Sequence, residues 1–207
     1  AIIVTVTVSS WSILISLILG LPLGFLLGYY QFKGKTVIKT IVDTFLAFPT
    51  VVIGLLVYTT LSQAGAFGEY NLLFTQKAII IGQIFLGLPI IIALTAAQVE
   101  STDKRLYLSL KGLGAKPYQI LLTTLVEARF GLMTAAMTAY GRIITEIGIS
   151  MMVGGNIKYH TRTITTAISL ETGKGEFETG IALGLVLFIV ALMVNIALSI
   201  LKRRWTQ

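Results

Sequence analysis

The 207-residue chain has no cysteine and a single histidine, His160. Without cysteine there is no disulfide framework, no iron–sulfur cluster and no cysteine zinc site. One histidine leaves no basis for a histidine metal site or a proton relay, so no metal ligand is expected. Charge is also scarce. Charged residues make up 12% of the chain, against about 25% in soluble domains, which excludes an ordinary soluble enzyme. With 55% hydrophobic residues, the chain is not disordered either. No G-x-x-x-x-G-K-[ST] run occurs, so any use of ATP belongs to another chain. No nucleophile sits beside a base and no carboxylates cluster, so no catalytic residue is assigned.

What is present is apolar length. The mean hydropathy is +0.87, and about 20 apolar residues suffice to cross a bilayer. Five runs qualify: Val8 to Tyr30, Val37 to Ser62, Ala78 to Gln98, Gly131 to Val153 and Thr179 to Leu201. In hydrocarbon every backbone N–H and C=O must be paired within its element, so these runs are expected to be helices. The alternation of a membrane β-strand is absent. The fold class is therefore an all-α membrane protein with about five transmembrane helices, in one domain over residues 1–207. No cleavable signal peptide is recognisable. The chain is already apolar at Ala1, from which an upstream segment is expected.

The net charge is +7 and the pI is near 9.7. In a membrane chain the natural explanation is Lys and Arg held in cytoplasmic loops, not a nucleic-acid partner. Lys33, Lys35 and Lys39 follow the first run. Lys104, Arg105, Lys111, Lys116 and Arg129 follow the third, and Lys202, Arg203 and Arg204 end the chain. Those 11 fall on one side, against 4 on the other (Lys77, Lys158, Arg162 and Lys174). The count places the C-terminus in the cytoplasm. Gly20, Gly24 and Gly28 form a small-residue stripe, as do Gly180 and Gly184, and such stripes let helices approach closely in lipid. Pro22, Pro49 and Pro89 lie inside runs and are expected to bend them.

Two stretches carry further signals. Between residues 100 and 129, an expected helix over Asp103 to Leu113 meets Gly114. Lys116 precedes Pro117 and is biased away from helix, and Pro117 suits the first position of a new, short helix ending near Val126. In the fourth run, Arg142 and Glu146 are four residues apart. They are expected to share a helix face and to neutralise each other, since a lone Arg at mid-membrane costs about 2.5–3.5 kcal/mol. The polar stretch 154–178 holds Gly154, Gly155, Asn156, Thr161 and Thr163. Its hydroxyls could meet an oxyanion, but such residues more often cap helices and make turns.

The 100–129 stretch resembles the coupling loop of permease subunits of ATP-binding-cassette importers. Leu113-Gly114-Ala115 matches the centre of that family's motif. Leu108, Ser109 and Leu110 stand where Glu-Ala-Ala is usual, and Glu127 stands where the terminal Pro is usual. Downstream, Arg142, Glu146, Gly148, Gly154, Gly155 and Asn156 are similar to the Arg-x-x-x-Glu-x-Gly core and Gly-Gly-Asn turn of tungstate and molybdate permeases. Glu127-Ala128-Arg129 looks like the tungstate-type branch.

The resemblance implies the type I importer architecture, with a short cytoplasmic coupling helix, in the inner membrane of a prokaryote. It implies ATPase contacts at Gly114, Ala115, Lys116, Pro117, Tyr118 and Gln119. Arg142, Glu146 and Gly148 would serve as path or gate, and Gly154, Gly155, Asn156, Thr161 and Thr163 would form a loop facing a binding protein. The implied partners are a second permease copy, two ATPase subunits, an extracytoplasmic oxyanion-binding protein and lipid. ATP and Mg would reside in the ATPases, with no cofactor in this chain. Alternatives are a permease for another anion such as sulfate, or an autonomous channel or secondary transporter. The lack of a convincing internal repeat counts against the latter.

Overall fold

The structure is a computed structural model that describes residues 1–102 and 109–204. Lys104, Arg105, Leu108 and most of the expected Asp103 to Leu113 helix lie outside the described residues. In chain order the helices are α1 (Ile2–Tyr29), α2 (Lys35–Leu46), α3 (Thr50–Leu61), α4 (Gln76–Glu100), α5 (Pro117–Ile144), α6 (Gly148–Gly154), α7 (Ile164–Gly173) and α8 (Phe177–Arg204). A 3-10 turn, Gly68–Tyr70, interrupts the loop between α3 and α4.

Helices α1, α4, α5 and α8 are long and apolar enough to cross a membrane. At 1.5 Å per residue, the 28 residues of α1 reach about 42 Å, more than the roughly 30 Å of hydrocarbon. The expected third and fifth spans fall within α4 and α8, and the first overlaps α1 up to its C-cap, Tyr30. Pro22 and Pro89 are accommodated inside the continuous helices α1 and α4.

The second and fourth spans differ from the sequence expectation. The run Val37 to Ser62 is two helices bent by 98° between Leu46 and Thr50. Pro49 lacks an N–H and drives its predecessor out of helical geometry, and it sits extended at φ −62°, ψ 123° as the N-cap of α3. α2 carries its polar residues Lys35, Lys39 and Asp43 at four-residue spacing, with Val37, Ile38, Ile41 and Phe45 exposed. α3 has 12 residues, about 18 Å of helix, and is too short to span alone.

The run Gly131 to Val153 is likewise not one span. α5 begins at Pro117, so the expected short helix ending near Val126 is the first third of a 28-residue helix. Residues 127–130 hold nothing that stops a helix, and Gly131 alone costs only about 1 kcal/mol. α5 then ends at Ile144, and the chain turns before α6.

The core forms where α1 lies on α4. A Cβ on Gly24 would stand 2.6 Å from Thr95 Cβ and 2.7 Å from the Ile92 carbonyl. One on Gly28 would stand 2.7 Å from the Ala96 carbonyl, and one on Gly20 2.8 Å from Ile91. The stripe thus admits α4 to backbone contact. Gly180 similarly faces Thr172 of α7, whereas nothing lies within 4 Å of a Cβ on Gly184. The main apolar cluster joins Val8, Ile53, Val57, Ile79, Leu86, Ile149 and Val153 from α1, α3, α4 and α6. Outward faces stay apolar: Ile181, Leu185, Phe188 and Leu192 form an exposed stripe along α8. A patch of that kind suits lipid or another chain rather than water.

Loop packing agrees with the alternation of sides. The α3–α4 connection meets the end of α6 and the loop beyond it: the Phe74 N–H donates to the Val153 carbonyl (2.9 Å), and Gln76 Nε2, at the start of α4, donates to the His160 carbonyl (2.9 Å). At the opposite end, the α1–α2 turn meets the end of α4.

Candidate functional site

At the loop leading into α5, residues 109–112 are helical. The Gly114 N–H donates to Lys111 (3.1 Å) and the Ala115 N–H to Leu110 (3.0 Å), the paired closing bonds of a glycine-terminated helix. Gly114 adopts φ +77°, a left-handed geometry that a side chain resists. Lys116 donates its N–H to Gln119 Oε1 (2.7 Å), and Pro117 opens α5. The corner expected from Gly114 and Pro117 is therefore present. Leu113, Gly114, Lys116, Pro117, Tyr118 and Gln119 are exposed on it, while Ala115 is half-buried. Leu113 (83% exposed) and Tyr118 (63%) give the corner two apolar projections.

The second candidate is the α5–α6 junction. The expected Arg142–Glu146 ion pair does not form. The helix ends at Ile144, so the shared face implied by four-residue spacing is lost before Glu146. Thr145 bonds back to the Gly141 carbonyl (2.9 Å) and takes φ −90°, ψ 0°. Arg142 faces outward. Glu146 turns inward, 3% exposed, and its Oε1 accepts the Ile149 N–H (3.1 Å). The carboxylate thus satisfies a donor in the first turn of α6. The Glu146 carbonyl accepts the Thr165 hydroxyl (2.9 Å), which ties the break to α7. Gly148 is buried, and a Cβ there would lie 3.2 Å from Glu146 Oε1 and from Thr50 Oγ1. Gly148 therefore meets the N-terminus of α3, next to the bend in the second span, with the Glu146 carboxylate close by.

The 154–178 loop bears out the capping and turn reading of its threonines and departs from the implied partner-facing surface. Gly155 is exposed and Asn156 partly so, but Gly154, Thr161 and Thr163 are interior. Thr161 accepts the Ile157 N–H (3.0 Å) and donates to the Gly154 carbonyl. Thr163 Oγ1 accepts the Thr166 N–H (3.2 Å) while Thr166 Oγ1 accepts the Thr163 N–H (3.0 Å), a reciprocal cap on α7. These hydroxyls serve helix ends, and the exposed tip is Gly155 together with Ile157, Lys158, Tyr159 and His160. Asn156 receives Arg162 Nε on its Oδ1 (3.1 Å), which fixes the turn. Among the described residues no group of three or more His, Asp or Glu could hold a metal.

Sequence reading missed two features. Thr5 Oγ1 accepts the Ile164 N–H (2.8 Å), 159 residues away, and no local pattern signals it. Lys35 and Lys39, read only as topology markers, both pair with Glu100 (2.9 and 2.6 Å). A carboxylate closing the third apolar run, on the same side as the lysine-bearing turn after the first, was the available signal.

Comparison with known proteins agrees with this architecture. A tungstate uptake system permease protein, TupB, from Campylobacter jejuni is 52% identical over 175 residues, 84% of this chain and 73% of that protein. A TupB from Peptoclostridium acidaminophilum is 35% identical over 191 residues, 92% of this chain and 84% of that protein. The structure of the MetNI methionine ABC transporter in an inward-facing conformation matches with a TM-score of 0.80 at 20% identity, covering 99% of this chain and 94% of that one. That likeness establishes the fold, an importer-permease arrangement of helices. Residues 20–207 match the family model of binding-protein-dependent transport system inner membrane components, and the chain belongs to that family as a multi-pass membrane protein.

Proposed function

We propose that this chain is the permease subunit of an ATP-driven oxyanion importer, with tungstate as the preferred cargo and molybdate next. The observation that carries this is the 52% identity to a tungstate permease across 84% of the chain. Two copies enclose a path in the inner membrane of a prokaryote, with both C-termini cytoplasmic. The chain is non-catalytic: two separate ATPase subunits bind ATP and Mg and dock on the corner at Gly114 to Gln119. A binding protein delivers the anion to the outer face, at the exposed turn around Gly155 and Asn156. Arg142, exposed and not ion-paired to Glu146, lines the path as a cation for an anionic cargo. Glu146 and Gly148 hold the break in the fourth span that lets its two segments move separately. A permease for another anion such as sulfate, and an autonomous channel or secondary transporter, are not favoured.

The exposed, hydrogen-bonded corner supports the docking role, because a partner groove reads a helix end through a few anchoring side chains. The test is co-expression with the cognate ATPase and binding protein. Gly114→Asp and Tyr118→Ala should insert normally yet lose ATPase co-purification and the stimulation of ATP hydrolysis by tungstate-loaded binding protein. Full retention of both by both variants would refute docking at this corner.

A further inference from the structure

We propose that Glu100, held between Lys35 and Lys39, is the positioning residue that passes movement of the cytoplasmic loop into α1 and the bent second span. The inference rests on the proposed coupling of this loop to an ATPase.

Glu100 is the last residue of α4, immediately before the loop. Its Oε1 lies 2.9 Å from Lys35 Nζ and its Oε2 2.6 Å from Lys39 Nζ. Both lysines belong to α2, one turn apart, so the two carboxylate oxygens grip one face of that helix. Lys35 is 8% exposed and also donates to the Gly28 carbonyl (3.1 Å) and the Tyr30 carbonyl (3.2 Å). It thereby fills carbonyls that the end of α1 leaves open. A buried ammonium with one carboxylate and two carbonyl partners is costly to disrupt, because losing the carboxylate strands the charge. Exposed ion pairs contribute little; this cluster differs because its central cation is buried and shared by three helices.

The joint is continuous with the rest of the molecule. Gly28 already touches α4 at the Ala96 carbonyl and Val99, so α1, α2 and α4 form one block at this end. α2 leads to the 98° bend, and α3 beyond it packs on α6 through Gly54 against Ile149 and Met152. These packed groups give a displacement of the loop a continuous route to the α5–α6 break, and the test below asks whether it is used. Glu100 is the first element of that route, and its ion-pair partners Lys35 and Lys39 belong neither to the proposed docking corner nor to the residues proposed for the path.

The test uses the complete permease–ATPase–binding-protein complex in proteoliposomes, with Glu100→Gln as an uncharged variant of similar shape. ATPase co-purification should persist. Tungstate uptake per ATP hydrolysed should fall at least about fivefold, the low end of usual coupling effects. Spin labels at the exposed positions Thr36 and Ser101 should keep a constant separation on ATP binding in the parent chain and change separation in the variant. Lys39→Met removes only the outer pair, should lose part of the coupling, and decides the matter if Glu100→Gln does not insert. Parent-like uptake per ATP and a constant label distance in the inserted variants would overturn this role while leaving the coupling reading intact. Failure of the parent chain to bind any ATPase would overturn both.

Discussion

A methyl group added at Gly24 probes the α1–α4 contact most sharply. In Gly24→Ala the new Cβ would stand 2.6 Å from Thr95 Cβ, 2.7 Å from the Ile92 carbonyl oxygen and 3.0 Å from Ile92 Cα. Carbon contacts are optimal at about 3.5–4.0 Å, so the helices must part by roughly 1 Å. Two of the three obstacles are backbone atoms and cannot swing aside. A gap of that size forfeits a quarter to a half of the dispersion at each affected contact, and Gly20 and Gly28 share the seam. The cost is therefore placed at the upper end of overpacking penalties, about 3 kcal/mol, roughly a hundredfold in the folding equilibrium. Gly184→Ala is the control, since nothing lies within 4 Å of its Cβ. It should be neutral or gain up to about 1 kcal/mol from helix propensity. Equilibrium unfolding in mild detergent by SDS titration, followed by circular dichroism, reads both. Equal stability of the two variants would refute the claim that the glycine stripe sets this interface.

Three further outcomes follow from the geometry. Glu146→Ala should cost about 1 kcal/mol through loss of the α6 cap, while a double-mutant cycle with Arg142→Ala should show coupling below about 0.5 kcal/mol; a larger coupling would restore the ion pair. Thr5→Val leaves the buried Ile164 N–H unpaired and should cost about 1–3 kcal/mol in the same unfolding assay, and an unchanged midpoint would contradict that bond. Single cysteines introduced at Gly155 and Lys33 should react with impermeant reagents from opposite faces, Lys33 from the cytoplasm; labelling of both from one side would break the topology.

Legibility in the sequence tracked the range of the forces involved. α1, α4 and α8 were readable because lipid demands only an uninterrupted apolar run. The corner at Gly114 was readable because its determinants, Gly114 and Pro117, act within one turn of chain. Pro49 was not distinguishable from Pro22 or Pro89 by residue type. Only at Pro49 does the preceding helix commit two lysines to another helix, at Glu100. The break after Ile144 was hidden for the same reason. Arg142 and Glu146 have ion-pair spacing, and what redirects Glu146 is a helix end and a threonine 19 residues on. Thr161 and Thr163 were legible as helix caps and turn formers, which they are, whereas composition cannot reveal that the N-terminus of α7 is interior, so the implied place of both on a partner-facing surface was not excluded.

The most direct measurement of the central claim is uptake of radiolabelled tungstate into proteoliposomes holding this permease and its ATPase, with the binding protein added to the face exposing Gly155. Uptake should require ATP, the ATPase and the binding protein together, and should cease when any one is withheld. Equal uptake without ATP or without the ATPase would contradict the account and would make the chain a channel or a secondary transporter.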